Sequence, residues 1–185
     1  MKIQKKKNNI LYSTESAKVL IVYKAEKIDE EGIDIFINKS GSPLNIEKGL
    51  LIDSCGEYED NDVMIQAFPS SENNKIDLIS IDNDGVNVII VDSQTQIPQK
   101  KILEQTGINN VLVFNEIDGI GKLFELIDNF SPEFFIPITD DSLLLEQICK
   151  KLTVLPGEKV KNFVLTQDNL PSDEEEQPLS IIIFE

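Results

Sequence analysis

Leu50-Leu51-Ile52-Asp53-Ser54-Cys55-Gly56-Glu57-Tyr58-Glu59-Asp60-Asn61-Asp62-Val63-Met64-Ile65-Gln66-Ala67-Phe68 decides how the rest of the chain is read. Two short apolar runs flank an acidic, glycine-led corner. Before it the apolar runs are strand-sized; after it, strands alternate with helices.

Upstream, Ile10 to Tyr12 and Val19 to Tyr23 are β-branched and aromatic runs separated by Ser13-Thr14-Glu15-Ser16, the pattern of a hairpin. Ile33 to Asn38 is a third strand, stopped by Lys39-Ser40-Gly41-Ser42-Pro43, where Gly and Pro oppose regular structure. Downstream, Ile76 to Ile81 and Val86 to Val91 flank Asp82-Asn83-Asp84-Gly85, a strong hairpin signal. The period then changes. Pro98 to Gly107 starts on proline and stops on glycine, a single short helix. Val111 to Phe114 and Phe134 to Ile138 read as strands buried on both faces. Between them Ile120, Leu123, Phe124 and Ile127 recur at helical spacing up to Ser131-Pro132, and Leu143 to Leu152 forms a third helix with Asp141 or Ser142 placed to cap it. Late strands are expected at Asn162 to Thr166 and Leu179 to Phe184. The meander of small strands followed by strand-helix-strand-helix-strand predicts two mixed sheets packed face to face with helices outside.

Length and composition bound the function. The 185 residues with 41% apolar content support one domain over residues 1–185. Residues 1–8 read as an unstructured basic arm, and residues 171–178 as an acidic loop before the last strand. Acidic residues outnumber basic ones 33 to 17, for a net charge of −16. Such a surface repels phosphate backbones and anionic headgroups, so neither nucleic acid nor membrane is an expected partner. The apolar runs are too short to span a bilayer, and the segment after Lys2, Lys5, Lys6 and Lys7 is too interrupted for a signal peptide. Cys55 and Cys149 read as small apolar side chains rather than a disulfide or a ligand pair, which fits a reducing cytoplasm.

Two segments carry a family resemblance. Leu51 to Phe68, with Gly56-Glu57-Tyr58-Glu59 inside it, resembles the "PGEYE" corner and following strand of small metallo-β-lactamase-fold proteins related to the ascorbate-lactonase-like hydrolases. Val86 to Ile138 resembles the later half of that family, with Ser131-Pro132-Glu133-Phe134-Phe135-Ile136-Pro137 at its "pro-x-ile-val-ile-pro" strand. Leu170-Pro171 and the final apolar strand resemble its ending. The likeness spans most of residues 8–185 and implies an αββα sandwich (α/β, or α+β) of reduced size. For Gly56 to Glu59 the residues themselves suggest a structural role, with glycine at the turn, tyrosine packed and glutamates in water.

The resemblance also implies a site, and this chain lacks its ligands. Active members hold two metal ions with a His-x-His-x-Asp-His loop, a later aspartate and a histidine after the "ile-pro" strand, and paired metals generate hydroxide at neutral pH. Here there is no histidine. The loop position is Asn38-Lys39-Ser40-Gly41-Ser42-Pro43, and a lysine ammonium offers a cation no lone pair. The bridging aspartate corresponds to Asp92-Ser93, within a residue, and the terminal histidine to Thr139, followed by Asp140 and Asp141. One carboxylate cannot hold zinc, so a zinc-dependent hydrolase is excluded on ligand count.

The residues offer other chemistries. Asp92, Asp140 and Asp141 could take a hard cation such as Mg²⁺ or Ca²⁺, though loop and cap roles suit them better. Neither Cys55 nor Cys149 has a histidine base. A Ser40 or Ser42 pair with Lys39 rarely meets the needed geometry within one loop. There is no Walker-type loop, and Gly119-Ile120-Gly121 lacks a third glycine. The resulting expectation assigns no catalytic, cofactor or metal residue. Asn38, Lys39, Ser40, Asp92, Ser93, Thr139 and Asp140 are left as vestigial-site positions. The expected role is a pseudo-hydrolase acting as a binding or oligomer subunit, homo-oligomeric or paired with a paralogue. The alternatives are a residual hydrolase using a hard cation or no metal, and a nucleic-acid-associated protein drawing on the Lys2 to Lys7 cluster.

Overall fold

Apolar runs buried at residues 10–12, 19–22 and 35–37 build one sheet, and continuous burial along the later strands builds another. In the computed structural model, which describes all residues except 26–27, 71–74, 117–119, 158 and 171–177, strands β1 (Lys2–Lys6), β2 (Asn9–Ser13), β3 (Lys18–Val22), β4 (Ile35–Asn38) and β5 (Leu50–Ile52) lie side by side, with β13 (Phe163–Val164) added beyond β1. The second sheet runs in the order β14 (Ser180–Ile181), β11 (Phe134–Ile138), β10 (Val111–Asn115), β9 (Val86–Asp92), β8 (Ile76–Asn83), β7 (Val63–Pro69), β6 (Gly56–Asp60). A small parallel pair joins β12 (Lys159–Val160) to β15 (Ile183–Phe184).

Both sheets are mixed. In the first, β3 pairs antiparallel with β2 but parallel with β4, and β4 is parallel to β5. The expected meander therefore holds only to β3; the connection through residues 24–34 returns the chain to run alongside β3 in the same direction. In the second, β6 to β9 are antiparallel, and β9, β10, β11 and β14 are parallel. Helices α1 (Lys100–Thr106), α2 (Ile120–Phe130) and α3 (Ser142–Leu152) lie among these last strands.

The period of two in each strand divides its side chains between layers. Ile10, Tyr12, Ile21, Ile35 and Ile37 of the first sheet meet Ile65, Ile79, Ile81, Val88, Ile90 and Val113 of the second in the central core. The opposite side chains of the second sheet, among them Ile89, Val91, Leu112, Phe114 and Phe135, pack on Leu123, Leu126, Ile127 and Phe130 of α2 and Ile148 of α3. Burial on both faces is why these strands are apolar throughout, and each such side chain contributes about 1.5–3 kcal/mol. All three helices cover the second sheet. The outer face of the first sheet (Leu11, Leu20, Val22, Phe36) is covered instead by Ile28, Ile33, Leu44 and Ile46 from irregular segments, and here the sandwich is reduced.

Three further sequence expectations change. Lys2–Lys6 is not an unstructured arm: β1 pairs with β2 along its length and with β13 at Lys2 and Ile3, because Ile3 is a core residue. The opening stretch is not one corner. Asp53 to Cys55 carries the chain from the first sheet to the second, Gly56–Asp60 is itself a strand, and the tight turn is Asn61-Asp62, at φ 49° and 62°. Asn and Asp tolerate that left-handed conformation best after glycine. The late strands are broken into two-residue pieces, β12 and β13, then β14 and β15. The acidic loop expected at 171–178 lies, but for Pro178, outside the described residues, as do Pro171 and Gly119. Among the described residues no helix is long and apolar enough to cross a membrane.

Candidate functional site

The end of β4 and the end of β9 open onto a cleft of about 600 Å³ lined by Asn38, Lys39, Ser40, Asp77 and Asp92 among others. Strand pairing sets its geometry. Val22 of β3 is in register with Asn38 of β4, and the Lys39 amide extends the ladder by donating to the Val22 carbonyl at 2.9 Å. Tyr23 and Lys39, one residue further on each strand, are therefore neighbours, with the ammonium 5.7 Å from the centre of the tyrosine ring.

The Lys39 side chain points inward. Its Nζ lies 2.7 Å from Asp92 Oδ2, with side-chain exposures of 4% and 11%, and donates to the Asp77 carbonyl at 2.6 Å. The other Asp92 oxygen is committed to backbone: Oδ1 accepts from the amides of Gln94 at 2.9 Å and Thr95 at 3.1 Å. Both carboxylate oxygens are thus occupied by protein donors. Thr95, fully buried, donates its hydroxyl to the Asp77 carbonyl at 3.0 Å, tying β8 to the turn after β9.

Asp77 Oδ2 accepts from the Gln96 amide at 2.9 Å. Burial holds the Asp77 carboxyl above the usual carboxylate range, with the Gln96 amide and Lys39 pulling the other way and Asp92 adding to the rise. The Tyr23 phenol is pushed well above its ordinary value, first by burial, then by the negative charges of Asp92 and Glu116. Its hydroxyl is fully shielded and has no hydrogen-bond partner, and the same is true of Asn115 Nδ2 at the end of β10.

The loop after β4 is self-contained. Asn38 Nδ2 donates to the Ser42 carbonyl at 2.9 Å, and Asn38 Oδ1 accepts from the Ser40 hydroxyl at 2.8 Å. Ser40 is engaged with Asn38 and Ser42, while Lys39 is engaged with Asp92, so the serine-lysine arrangement is not formed.

The remaining positions lie apart. The Ser93 carbonyl accepts from Lys122 Nζ at 3.1 Å. Thr139 Oγ1 accepts from the Asp141 amide at 3.2 Å. Asp140 is 2.6 Å from Lys5 Nζ and its side chain is 90% exposed. Asp141 caps α3, its Oδ1 accepting from the amides of Leu143 at 2.9 Å and Leu144 at 3.1 Å. The hard-cation set Asp92, Asp140 and Asp141 is thereby corrected: each carboxylate has its own protein partner and the three do not share a site. Among the described residues no group of three or more His, Cys, Asp or Glu side chains is arranged to hold a metal ion. The donor set does not fit a dinuclear centre.

Gly56 to Glu59 are structural in geometry. Tyr58 donates its hydroxyl to the Ser54 carbonyl at 2.9 Å and packs against the central core, Glu57 accepts from Gln66 Nε2 at 3.1 Å, and Glu59 is exposed. Neither Cys55 nor Cys149 is in a disulfide, and burial raises the pKa of each thiol, so neither is an activated nucleophile. Tyr23, Asp77, Thr95 and Asn115 are site residues that sequence reasoning did not single out. The one available signal was Asp77, a lone carboxylate inside an apolar strand.

No family model matches the sequence, and no curated protein matches it. Solved structures do match. A Thermotoga maritima protein described as a candidate Zn-dependent hydrolase of the metallo-β-lactamase superfamily aligns with a TM-score of 0.67 at 15% identity, covering 99% of each chain. The metallo-β-lactamase fold protein YhfI of Bacillus subtilis aligns at TM-score 0.50 and 9% identity, covering 81% of this chain and 92% of its own. A variant of the CmlA β-hydroxylase aligns at TM-score 0.52 and 9% identity over 85% of this chain and 52% of its own. The chain has the metallo-β-lactamase fold, as an α/β sandwich of reduced size.

Proposed function

We propose that this metallo-β-lactamase-fold chain has exchanged metal-dependent hydrolysis for a binding role, with the Lys39 ammonium standing as a tethered cation beside Asp92. The observation that carries the reading is the 2.7 Å contact between Lys39 Nζ and Asp92 Oδ2. An acidic strand end in this fold faces a place suited to positive charge, and a covalently attached ammonium meets that electrostatic demand without supplying Lewis acidity or a metal-bound water. The absence of histidine removes the nitrogen donors zinc prefers. Asp77, Thr95 and the loop after β4 then serve to brace the ion pair.

A fold that keeps both cores while an ammonium of its own stands beside the strand-end aspartate is suited to act as a subunit, with a second copy or an active paralogue as partner; that step rests on analogy with how folds are reused. Elemental analysis of protein made without a histidine tag tests the reading. The expected result is substoichiometric zinc, iron and manganese before and after incubation with each metal. Stoichiometric metal that leaves on Asp92→Asn substitution would overturn it.

A further inference from the structure

The outer face of the first sheet carries a basic groove on an otherwise acidic molecule. Cross-strand register places Lys2, Ser13 and Lys18 in one row, Gln4, Leu11 and Leu20 in the next, and Lys6 with Asn9 in a third. These side chains, with Ile28 and Ile33 on the far wall, line a groove of about 790 Å³ that none of the described helices covers. Lys6, Lys7 and Lys18 are exposed. A chain of net charge −16 has gathered lysines at 2, 6, 7 and 18 around one apolar floor, while Lys5 is engaged by Asp140.

We propose that this groove binds an extended acidic peptide segment of a partner protein, with glutamates at alternate outward positions and a leucine-like residue between them. The spacing argues for this. Lys2 and Lys6 are four residues apart on a strand, about 13 Å, with the apolar row halfway between. An extended segment of pattern Glu-x-Leu-x-Glu repeats its side chains at the same interval, so both carboxylates meet ammonium groups while the central side chain lies against Gln4 and the walls at Ile28 and Ile33, above the largely buried Leu11 and Leu20. Charge complementarity selects an acidic occupant and supplies orientation. Nucleic acid fits less well: the lining has no aromatic side chain on which a base could stack, and Asp29 and Glu31 stand on the rim. The proposal deepens the binding role above by naming a face for it and rests on that role alone; metal content tests the cleft and peptide capture tests the groove, so each can fail without the other.

The probe is a fluorescein-labelled decapeptide, two repeats of Glu-Ser-Leu-Ser-Glu, titrated with the full chain and followed by fluorescence anisotropy. Saturable binding is expected that weakens at least roughly tenfold in Lys2→Glu/Lys6→Glu/Lys18→Glu, weakens with salt, and is unchanged in Lys100→Glu/Lys101→Glu. A peptide with Gln for Glu should not bind. Should the triple variant not fold by circular dichroism, Lys6→Gln/Lys18→Gln is used, with at least a roughly threefold loss expected. No saturable binding up to about 1 mM peptide, weaker than any specific docking reaction, overturns the proposal. So does equal binding by the variants, tighter binding of a uridine-rich RNA dodecamer, or self-association by sedimentation equilibrium that the charge reversals abolish.

Discussion

Lys39 and Asp92 face each other from the ends of strands in different sheets, 2.7 Å apart and nearly excluded from water. Lys39 follows β4 and Asp92 ends β9, so the contact joins the two sheets within the lining of the cleft. A buried ion pair of this kind gives up solvation on both sides and recovers it only while both partners are present. Lys39→Met should therefore destabilise the fold by about 3–5 kcal/mol, because Asp92 is left charged and unmatched by an ammonium. Lys39→Met combined with Asp92→Leu should recover most of that loss. Urea unfolding of the four members of the cycle measures it, and additive losses would mean the pair is not coupled.

Tyr23 leads to a second expectation. Its hydroxyl is buried beside this pair without a partner, so Tyr23→Phe should be neutral or stabilising by about 1 kcal/mol, since no hydrogen bond is lost. The pH dependence follows from sign. The phenol pKa is raised in the folded state at both Tyr12 and Tyr23, chiefly by burial, so the protonated fold is favoured and stability falls once pH rises past the ordinary tyrosine value of about 10. Native protein should show less tyrosinate absorbance at about pH 10.5 than protein in denaturant, and the missing signal should appear together with loss of circular dichroism.

How far the sequence reached can be judged from particular residues. Asp84-Gly85, Pro98 to Gly107, and the apolar runs at Val111 and Phe134 gave their elements directly, because local turn chemistry and two-sided burial agree with the fold. The parallel pairing of β3, β4 and β5 was not legible, since period-two patterning is the same whichever way a neighbour runs. Ile3 explains the N-terminal miss: a single core residue among lysines turns an apparent arm into a strand. At the site, Lys39 and Asp92 were legible as positions, but their contact depends on two strand ends far apart in sequence. Tyr23 and Asn115 gave no signal, because a tyrosine or asparagine closing an apolar strand looks like an ordinary strand end.

Asp77 sits one strand away from that contact with its carboxyl raised above the usual range, burial being the main cause. Ionising it therefore costs the folded state. That cost is absent below the unfolded value of about 3.9 and grows as pH climbs through the raised folded value. Asp77→Asn keeps an acceptor for the Gln96 amide while removing the charge. Its stability relative to the parent should be more favourable at pH 7 than at pH 4, measured by thermal unfolding at the two pH values. A difference of the opposite sign would mean that Lys39, not burial, governs this carboxylate.

Asp140 and Asp141 are adjacent in sequence but differ in what they hold, and stability separates them. Asp141 satisfies two amides at the start of α3, so Asp141→Ala should cost about 1 kcal/mol, as loss of an N-cap does. Asp140 meets Lys5 at 2.6 Å, but its side chain is 90% exposed. Water and salt screen such a pair, so Asp140→Ala should change stability by no more than about 0.5 kcal/mol, and less at high salt. If the two aspartates instead shared a cation, both substitutions would be costly and both losses would depend on added Mg²⁺ or Ca²⁺. Urea midpoints of the two variants, with and without chelator, distinguish the cases, and chelator independence is the expected outcome.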